Sequence, residues 1–192
     1  MNFLELNSWF DKKYRIVLRD RYWTMRTALN LLYLKPRHNI VETGCQRLPD
    51  DWGSGNSTYI FAEFIDQYRG HLTTIDINPE NIEACKKITA EFAGRIDYIC
   101  ANSMTILPAL TAPIDFLYLD SLDVPEVGDA SEGQRHNLNE FKEAEHLLMP
   151  DSIILLDDNN MENGGKTMFT KLYLETRGFK LILDYDQSLW IK

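Results

Sequence analysis

The sequence predicts an α/β fold, a doubly wound and mostly parallel sheet with helices in front of it and an antiparallel hairpin at its end. Three observations carry this. Residues 2–34 contain neither Gly nor Pro and read as helix. From residue 39 onward, short β-rich apolar runs alternate with helical periodicity, the pattern of parallel strands joined by right-handed helical crossovers. The last two apolar runs break that alternation, being separated only by Asp186-Gln187.

In order, the N-terminal segment reads as two helices, the second from about Tyr22 to Leu34 before Lys35-Pro36 stops it. Strands are expected at Asn39 to Cys45, Leu72 to Ile77, Ile96 to Ala101, Ile114 to Asp120 and Ser152 to Asp157. Helices are expected at Ser57 to Arg69, Pro79 to Phe92, Met104 to Leu110, Gln134 to Leu148 and Lys166 to Arg177. Phe179 to Tyr185 and Ser188 to Ile191 form the closing hairpin. At 192 residues the chain is the size of one domain, 1–192, divided into a helical cap (1–36) and a core (37–192).

Composition narrows the function classes. Hydrophobic residues at 44% and charged residues at 26% are an ordinary globular balance. Met1 to Asp11 holds no basic region followed by an apolar stretch, and no apolar run approaches the roughly 20 residues of a membrane span, so the expected compartment is the cytoplasm, with no membrane partner. Cys45, Cys85 and Cys100 fit neither a disulfide framework nor a zinc knuckle and are expected to be buried thiols. A net charge of -9 disfavours nucleic acid as a partner. The basic residues Lys12, Lys13, Arg15, Arg19, Arg21 and Arg26, interleaved with aromatics, read as an amphipathic helix face. The aromatic N-terminal helices are expected to cap the site, form a homodimer face or pack on the sheet.

In open α/β sheets ligands bind beyond the carboxyl ends of the strands, and there this sequence is polar. The first strand ends in Glu42-Thr43-Gly44-Cys45. A loop then leads to Gly53-Ser54-Gly55-Asn56-Ser57-Thr58, where glycines allow close approach of backbone to a ligand and a helix N-terminus offers unpaired N–H groups. The second strand ends in Asp76, some twenty residues beyond that turn, where a carboxylate can accept both hydroxyls of a ribose; a helix cap is the alternative, for which Asn78 is better placed. Asn102-Ser103 can hydrogen-bond a base edge or serve as a turn. Asp120 and the run Asp157-Asp158-Asn159-Asn160 end strands four and five, and such hard oxygen donors suit Mg²⁺ or another divalent cation, with solvated loop acids as the alternative.

Glu42-x-Gly44, Gly53-x-Gly55-x-Ser57-Thr58, Ile75-Asp76-Ile77-Asn78-Pro79, Asn102-Ser103 and Leu117-Tyr118-Leu119-Asp120 together resemble the class I S-adenosylmethionine-dependent methyltransferases, over about residues 38–192. The likeness is nearest to small bacterial members related to the catechol O-methyltransferase group and implies a Rossmann-like sheet. It implies that Asp76 binds the ribose hydroxyls, that Glu42 and Gly44 line the methionine end, that Ser57 follows the glycine turn of Gly53 and Gly55 and that Ser103 lies by the adenine, with Asn102 beside it as a further cofactor-binding candidate. It also implies a magnesium site at Asp120, Asp158 and Asn159. The sequence departs from the catechol type at Asp123, where those enzymes have a lysine base, and in the longer loop with Arg47, Asp50, Asp51 and Trp52, candidates for a lid.

Methyl transfer mainly requires alignment and removal of a proton. His136 is the first candidate base, with Asp123 and Asp158 as fallback bases and Asp120 as a further catalytic candidate; a surface role is the alternative for His136. His146 is expected to pack among Ala144, Leu147 and Leu148, and His38 and His71 carry no distinct signal. Gly165-Lys166-Thr167 ends like a phosphate loop, but position 160 is Asn160 instead of the required glycine. The expected acceptor is a small molecule or a sugar. A nicotinamide or nucleotide-sugar enzyme and a non-catalytic cofactor-binding domain are the competing classes.

Overall fold

The computed structural model describes residues 2–50, 52 and 56–192. Helix α1 (Phe3–Tyr14) begins at an Asn2–Glu5 capping box, in which each side chain accepts the other's backbone N–H. Helix α2 (Tyr22–Tyr33) follows a short 3₁₀ turn. The core then runs β1 (Asn39–Thr43), α3 (Ser57–Tyr68), β2 (His71–Asp76), α4 (Pro79–Ile88), β3 (Ile96–Cys100), α5 (Ser103–Ile106) and β4 (Ile114–Leu119). It continues with α6 (Ser131–Ala144), β5 (Leu148–Leu156), α7 (Met168–Thr176), β6 (Lys180–Asp184) and β7 (Ser188–Ile191). The helix expected over 79–92 stops at Ile88 because Thr89 leaves the helical backbone region and its hydroxyl bonds back to the Cys85 carbonyl. Among the described residues no helix is long and apolar enough to cross a membrane.

The seven strands lie in the order β3-β2-β1-β4-β5-β7-β6. β1 to β5 are parallel, and the hairpin β6–β7 joins antiparallel through β5. The sheet matches the Rossmann-like, doubly wound expectation. Because the chain reverses direction across the sheet between β1 and β4, loops leaving these two strands diverge and open a crevice at their carboxyl ends.

The core explains why β4 carries six consecutive buried residues, since both faces of that strand are covered. Phe116 and Tyr118 face a cluster containing Phe10, Tyr14, Met25, Leu29, Phe61 and Phe64. Leu117 and Leu119 face the opposite cluster with Phe141, Ala144, Leu174 and Trp190. The N-terminal helices therefore pack on the sheet: Phe10, Tyr14 and Tyr22 are buried, and Trp23 remains half exposed. Their basic residues make specific ion pairs, Lys13 with Glu63 at 2.7 Å and Arg26 with Asp11 at 2.6 Å. Cys45 and Cys85 are buried as expected, whereas Cys100, at the end of the edge strand β3, is exposed.

Candidate active site

A cavity of about 310 Å³ occupies the crevice. Its first half is built by the ends of β1, β2 and β3. Gly44 sits at φ +80°, and a Cβ there would lie 2.4 Å from the Asp120 carbonyl oxygen, so only glycine lets the end of β1 pass that close to the end of β4. Asp76 lines the cavity with its carboxylate held by neutral donors: the Asn78 amide at 2.8 Å, the Cys45 amide at 3.3 Å and the Asn81 carboxamide at 3.1 Å. Asn78 is the cap of α4, accepting the Glu80 N–H at 2.8 Å ahead of Pro79, so the cap role weighed for Asp76 falls on Asn78. Asn102 caps α5 and, with Ser103 and Ser57, also lines the cavity.

Two expectations for this half need amendment. Glu42 does not line the cavity. It is fully buried beneath it and accepts hydrogen bonds from Ser57 (2.5 Å), Thr58 (2.7 Å) and Thr74 (2.7 Å), tying β1 and β2 to the start of α3. Burial pushes its carboxyl up to about 7 against the pull of these hydroxyls. Gly53 and Gly55 lie outside the described residues, as does Asp51 of the long loop. Within that loop Arg47 lines the cavity and pairs with Asp123 at 3.0 Å across its mouth, while Trp52 packs on the Tyr14 ring instead of covering the site.

The second half is formed by the β4 end and by α6. Asp120, Ser121 and His136 line it. Behind them stands Glu140, one turn after His136 and fully buried, which accepts from Ser121 (2.7 Å) and Thr43 (3.2 Å) and lies 3.3 Å from His136 Nε2. The hydrogen bond to Glu140 raises the His136 pKa against the opposing effect of burial. Glu140 is absent from the sequence reading, although its i,i+4 spacing from His136 was a usable signal. His146 does not pack as expected; it is exposed, with Nδ1 on the Glu143 carbonyl.

The largest correction concerns the metal set. Asp120 and Asp158 converge, but Lys166 Nζ stands between them, 2.7 Å from Asp120 Oδ1 and 3.0 Å from Asp158 Oδ2, and this lysine is fully buried. Asn159 turns away to the hairpin, donating to Asp184 and the Tyr185 carbonyl and accepting from Thr167 and Lys171. Neither Asp158 nor Asn159 lines the cavity. Asp157 is buried, accepts from Tyr118 and pairs with Arg21 at 3.0 Å; Arg21 also reaches Asp158 and Asp186. Among the described residues no group of three or more His, Cys, Asp or Glu side chains is arranged to hold a metal. Burial lifts the Asp120 carboxyl well above the carboxylate range, with Lys166 opposing and Asp157 and Asp158 adding to the rise. Burial alone would also raise Asp157, but Arg21 and Lys166 hold it low, and the same acids keep Lys166 protonated despite its burial.

The family model described as a methyltransferase domain matches residues 51–159, more than half of the chain. No curated protein matches the sequence. Among solved structures, the S-adenosylhomocysteine-bound methyltransferase PaMTH1 of Podospora anserina is similar at TM-score 0.65 and 15% identity, covering 99% of this chain and 86% of that one. A methyltransferase from Geobacter sulfurreducens is similar at TM-score 0.61 and 14% identity, with 98% and 86% covered. An rRNA methylase from Streptococcus thermophilus is similar at TM-score 0.58 and 11% identity, with 88% and 94% covered. At these identities the likeness to solved structures is one of fold. Taken with the match of the family model, it means that the chain belongs to the methyltransferase-domain family of the class I S-adenosylmethionine-dependent superfamily.

Proposed function

We propose that this methyltransferase binds S-adenosylmethionine along the β1–β3 half of the cavity and transfers the methyl group to a hydroxyl of a small molecule or sugar at the β4 half. The observation that carries this reading is that Asp76, at the β2 end, and Asp120 with His136, at the β4 end, line one cavity with Gly44 between them. In this reading Asp76 accepts the ribose hydroxyls, Asn102 and Ser103 lie by the adenine, and Gly44 leaves room for the amino-acid tail. Glu42 acts from below, by fixing the start of α3.

Held in the cavity, S-adenosylmethionine would supply an activated methyl group, and the imidazole of His136 would take the proton that the acceptor hydroxyl gives up. Glu140 stabilises the imidazolium that forms, and Ser121, which donates to Glu140, fixes the ring's position at 3.1 Å. Asp120 borders the acceptor. The catalytic role considered for Asp158 has no support in this geometry, because its oxygens face Lys166 and Arg21.

Likeness to an rRNA methylase makes RNA the competing acceptor, and the net charge of -9 argues against it. Two measurements test the proposal. Calorimetric titration with S-adenosylhomocysteine should show binding that weakens at least about tenfold in Asp76→Ala, the scale of a lost charged hydrogen-bond partner. Unchanged affinity in a folded variant would sink the cofactor placement. Label transfer from S-adenosylmethionine to a panel of hydroxylated small molecules and to total RNA should favour the former, and methylation of RNA alone would overturn the acceptor class.

A further inference from the structure

Three acids, Asp120, Asp157 and Asp158, meet at the ends of the neighbouring strands β4 and β5, and a fourth, Asp186, comes from the hairpin turn. Carboxylates this close repel one another unless a cation or a proton lies among them. In a metal-dependent site of this architecture a divalent cation would fill that place, taking about six oxygen ligands, several from water. Here the oxygens of Asp120 and Asp158 already lie beside side chains of the protein itself. Asp120 Oδ1 faces Lys166 and Oδ2 lies 3.2 Å from the Tyr118 hydroxyl, whose proton goes to Asp157; Asp158 Oδ2 faces Lys166 and Oδ1 lies 3.5 Å from Arg21.

The backbone is shaped to deliver that ammonium. Asp158 adopts φ +51°, unusual for a residue with a side chain, and Gly165 adopts φ +58°. A Cβ at Gly165 would stand 1.8 Å from the Asp158 carbonyl oxygen, so the chain passes directly over the residue whose carboxylate it neutralises. Gln134 of α6 clamps the Gly165 carbonyl at 2.9 Å, and the Lys166 amide donates back to the Asp158 carbonyl at 3.2 Å. An ordinary surface loop has no need of these contacts.

We propose that the Lys166 ammonium is the resident cation of this site, positioning Asp120 and Asp158 in place of a divalent metal, so that the protein neither binds nor needs one there. The metal-free geometry concerns Asp120 and Asp158 themselves; only its consequence for methyl transfer rests on the proposed function.

The test is a Mn²⁺ titration of the full chain, followed by the paramagnetic resonance signal of the free ion. Wild-type protein should leave the signal unchanged to about millimolar Mn²⁺, a concentration at which hard-oxygen protein sites of moderate affinity fill. Lys166→Ala, which leaves the two carboxylates facing each other, should take up Mn²⁺ at least tenfold more tightly than wild type, and Lys166→Ala with Asp158→Asn should lose that gain. A lysine serving only as packing would give no such gain. Mn²⁺ uptake by the wild type that is abolished by Asp158→Asn would overturn the proposal, as would a folded Lys166→Ala variant that binds no better than wild type. Recovery of fold in Lys166→Ala on adding Mn²⁺ also supports it, and if that variant folds under no condition the wild-type arm decides. S-adenosylhomocysteine titrated into the same samples reports on the cofactor pocket separately, so failure of one reading is distinguishable from failure of the other.

Discussion

Asp76, at the β2 end of the crevice, is met by the amides of Cys45 and Asn78 and the carboxamide of Asn81, all neutral donors, and it faces the cavity. At the β4 and β5 ends, Asp120, Asp157 and Asp158, with Asp186 from the hairpin turn, instead meet the cations of Arg21 and Lys166. Neutral donors orient a carboxylate without cancelling its charge, which leaves it available to hydroxyl groups of a ligand. Buried cations cancel it, and the acids they satisfy become part of the framework. In the proposed reading the same residue type at the same kind of strand end thus serves as a receptor on one side and as scaffold on the other, and its neighbours decide which.

Removing a cation from the scaffold side should have the largest effect. Lys166→Met removes the ammonium that faces both Asp120 and Asp158 and leaves only Arg21 near Asp158, and breaking such a buried pair costs about 3–5 kcal/mol. Urea denaturation at neutral pH measures it, and a loss below about 1 kcal/mol would mean that the network is better solvated than its burial implies. The boundary between the halves is His136. His136→Ala should lower kcat by about 10²–10⁴, the usual range for a general base, while leaving S-adenosylhomocysteine affinity within about threefold. Glu140→Gln removes the group that raises the His136 pKa. The acidic limb of the pH profile should then move to lower pH, because the imidazole would lose its proton earlier. A limb that stays in place would separate His136 from the proton transfer.

The difference between the halves also explains what the sequence could and could not reveal. Strand ends are readable from alternation of apolar runs, and Gly44, Asp76, Asn102, Ser103, Asp120 and His136 line one cavity. Asp76 and Asn78 could be assigned different tasks because Pro79 marks where α4 begins. Counter-charges are different, because they come from any distance along the chain. Arg21 reaches Asp157 from the N-terminal segment and Lys166 reaches Asp120 from beyond β5, contacts that no local pattern encodes. Asn159 sits in a metal-like motif, yet its direction is set by the antiparallel hairpin, whose turn carbonyl at Tyr185 it binds. Gly165-Lys166-Thr167 ends like a phosphate loop in sequence, whereas the left-handed backbone at Asp158 and Gly165, which brings Lys166 over Asp158, has no signature there.

Beneath the receptor side, Glu42 offers a milder perturbation. Its folded-state pKa, about 7, lies above the ordinary carboxyl value, so the folded protein holds that proton more tightly than the unfolded chain. Its contribution is therefore full at acid pH and declines as pH rises from the ordinary carboxyl range to about 7. Glu42→Gln keeps the size and the polar contacts of the side chain, since the three hydroxyls around it can rotate to suit an amide. Stability measured at pH 5 and pH 8 should differ less in the variant than in wild type, by on the order of 1–3 kcal/mol. An equal difference in the two proteins would show that Glu42 stays ionised throughout.

The smallest effect separates the receptor from the cap beside it. Asn78→Ala removes the acceptor for the Glu80 N–H at the start of α4 and should cost about 1 kcal/mol of stability. The backbone N–H of residue 78, which holds Asp76 at 2.8 Å, survives the substitution. S-adenosylhomocysteine affinity should therefore stay near wild type, whereas Asp76→Ala loses affinity and leaves the cap of α4 in place. If instead Asn78→Ala weakened the ligand as much as Asp76→Ala did, the carboxylate would be acting through the helix it precedes. The contrast between receptor and scaffold would then have to be redrawn with both strand ends as framework.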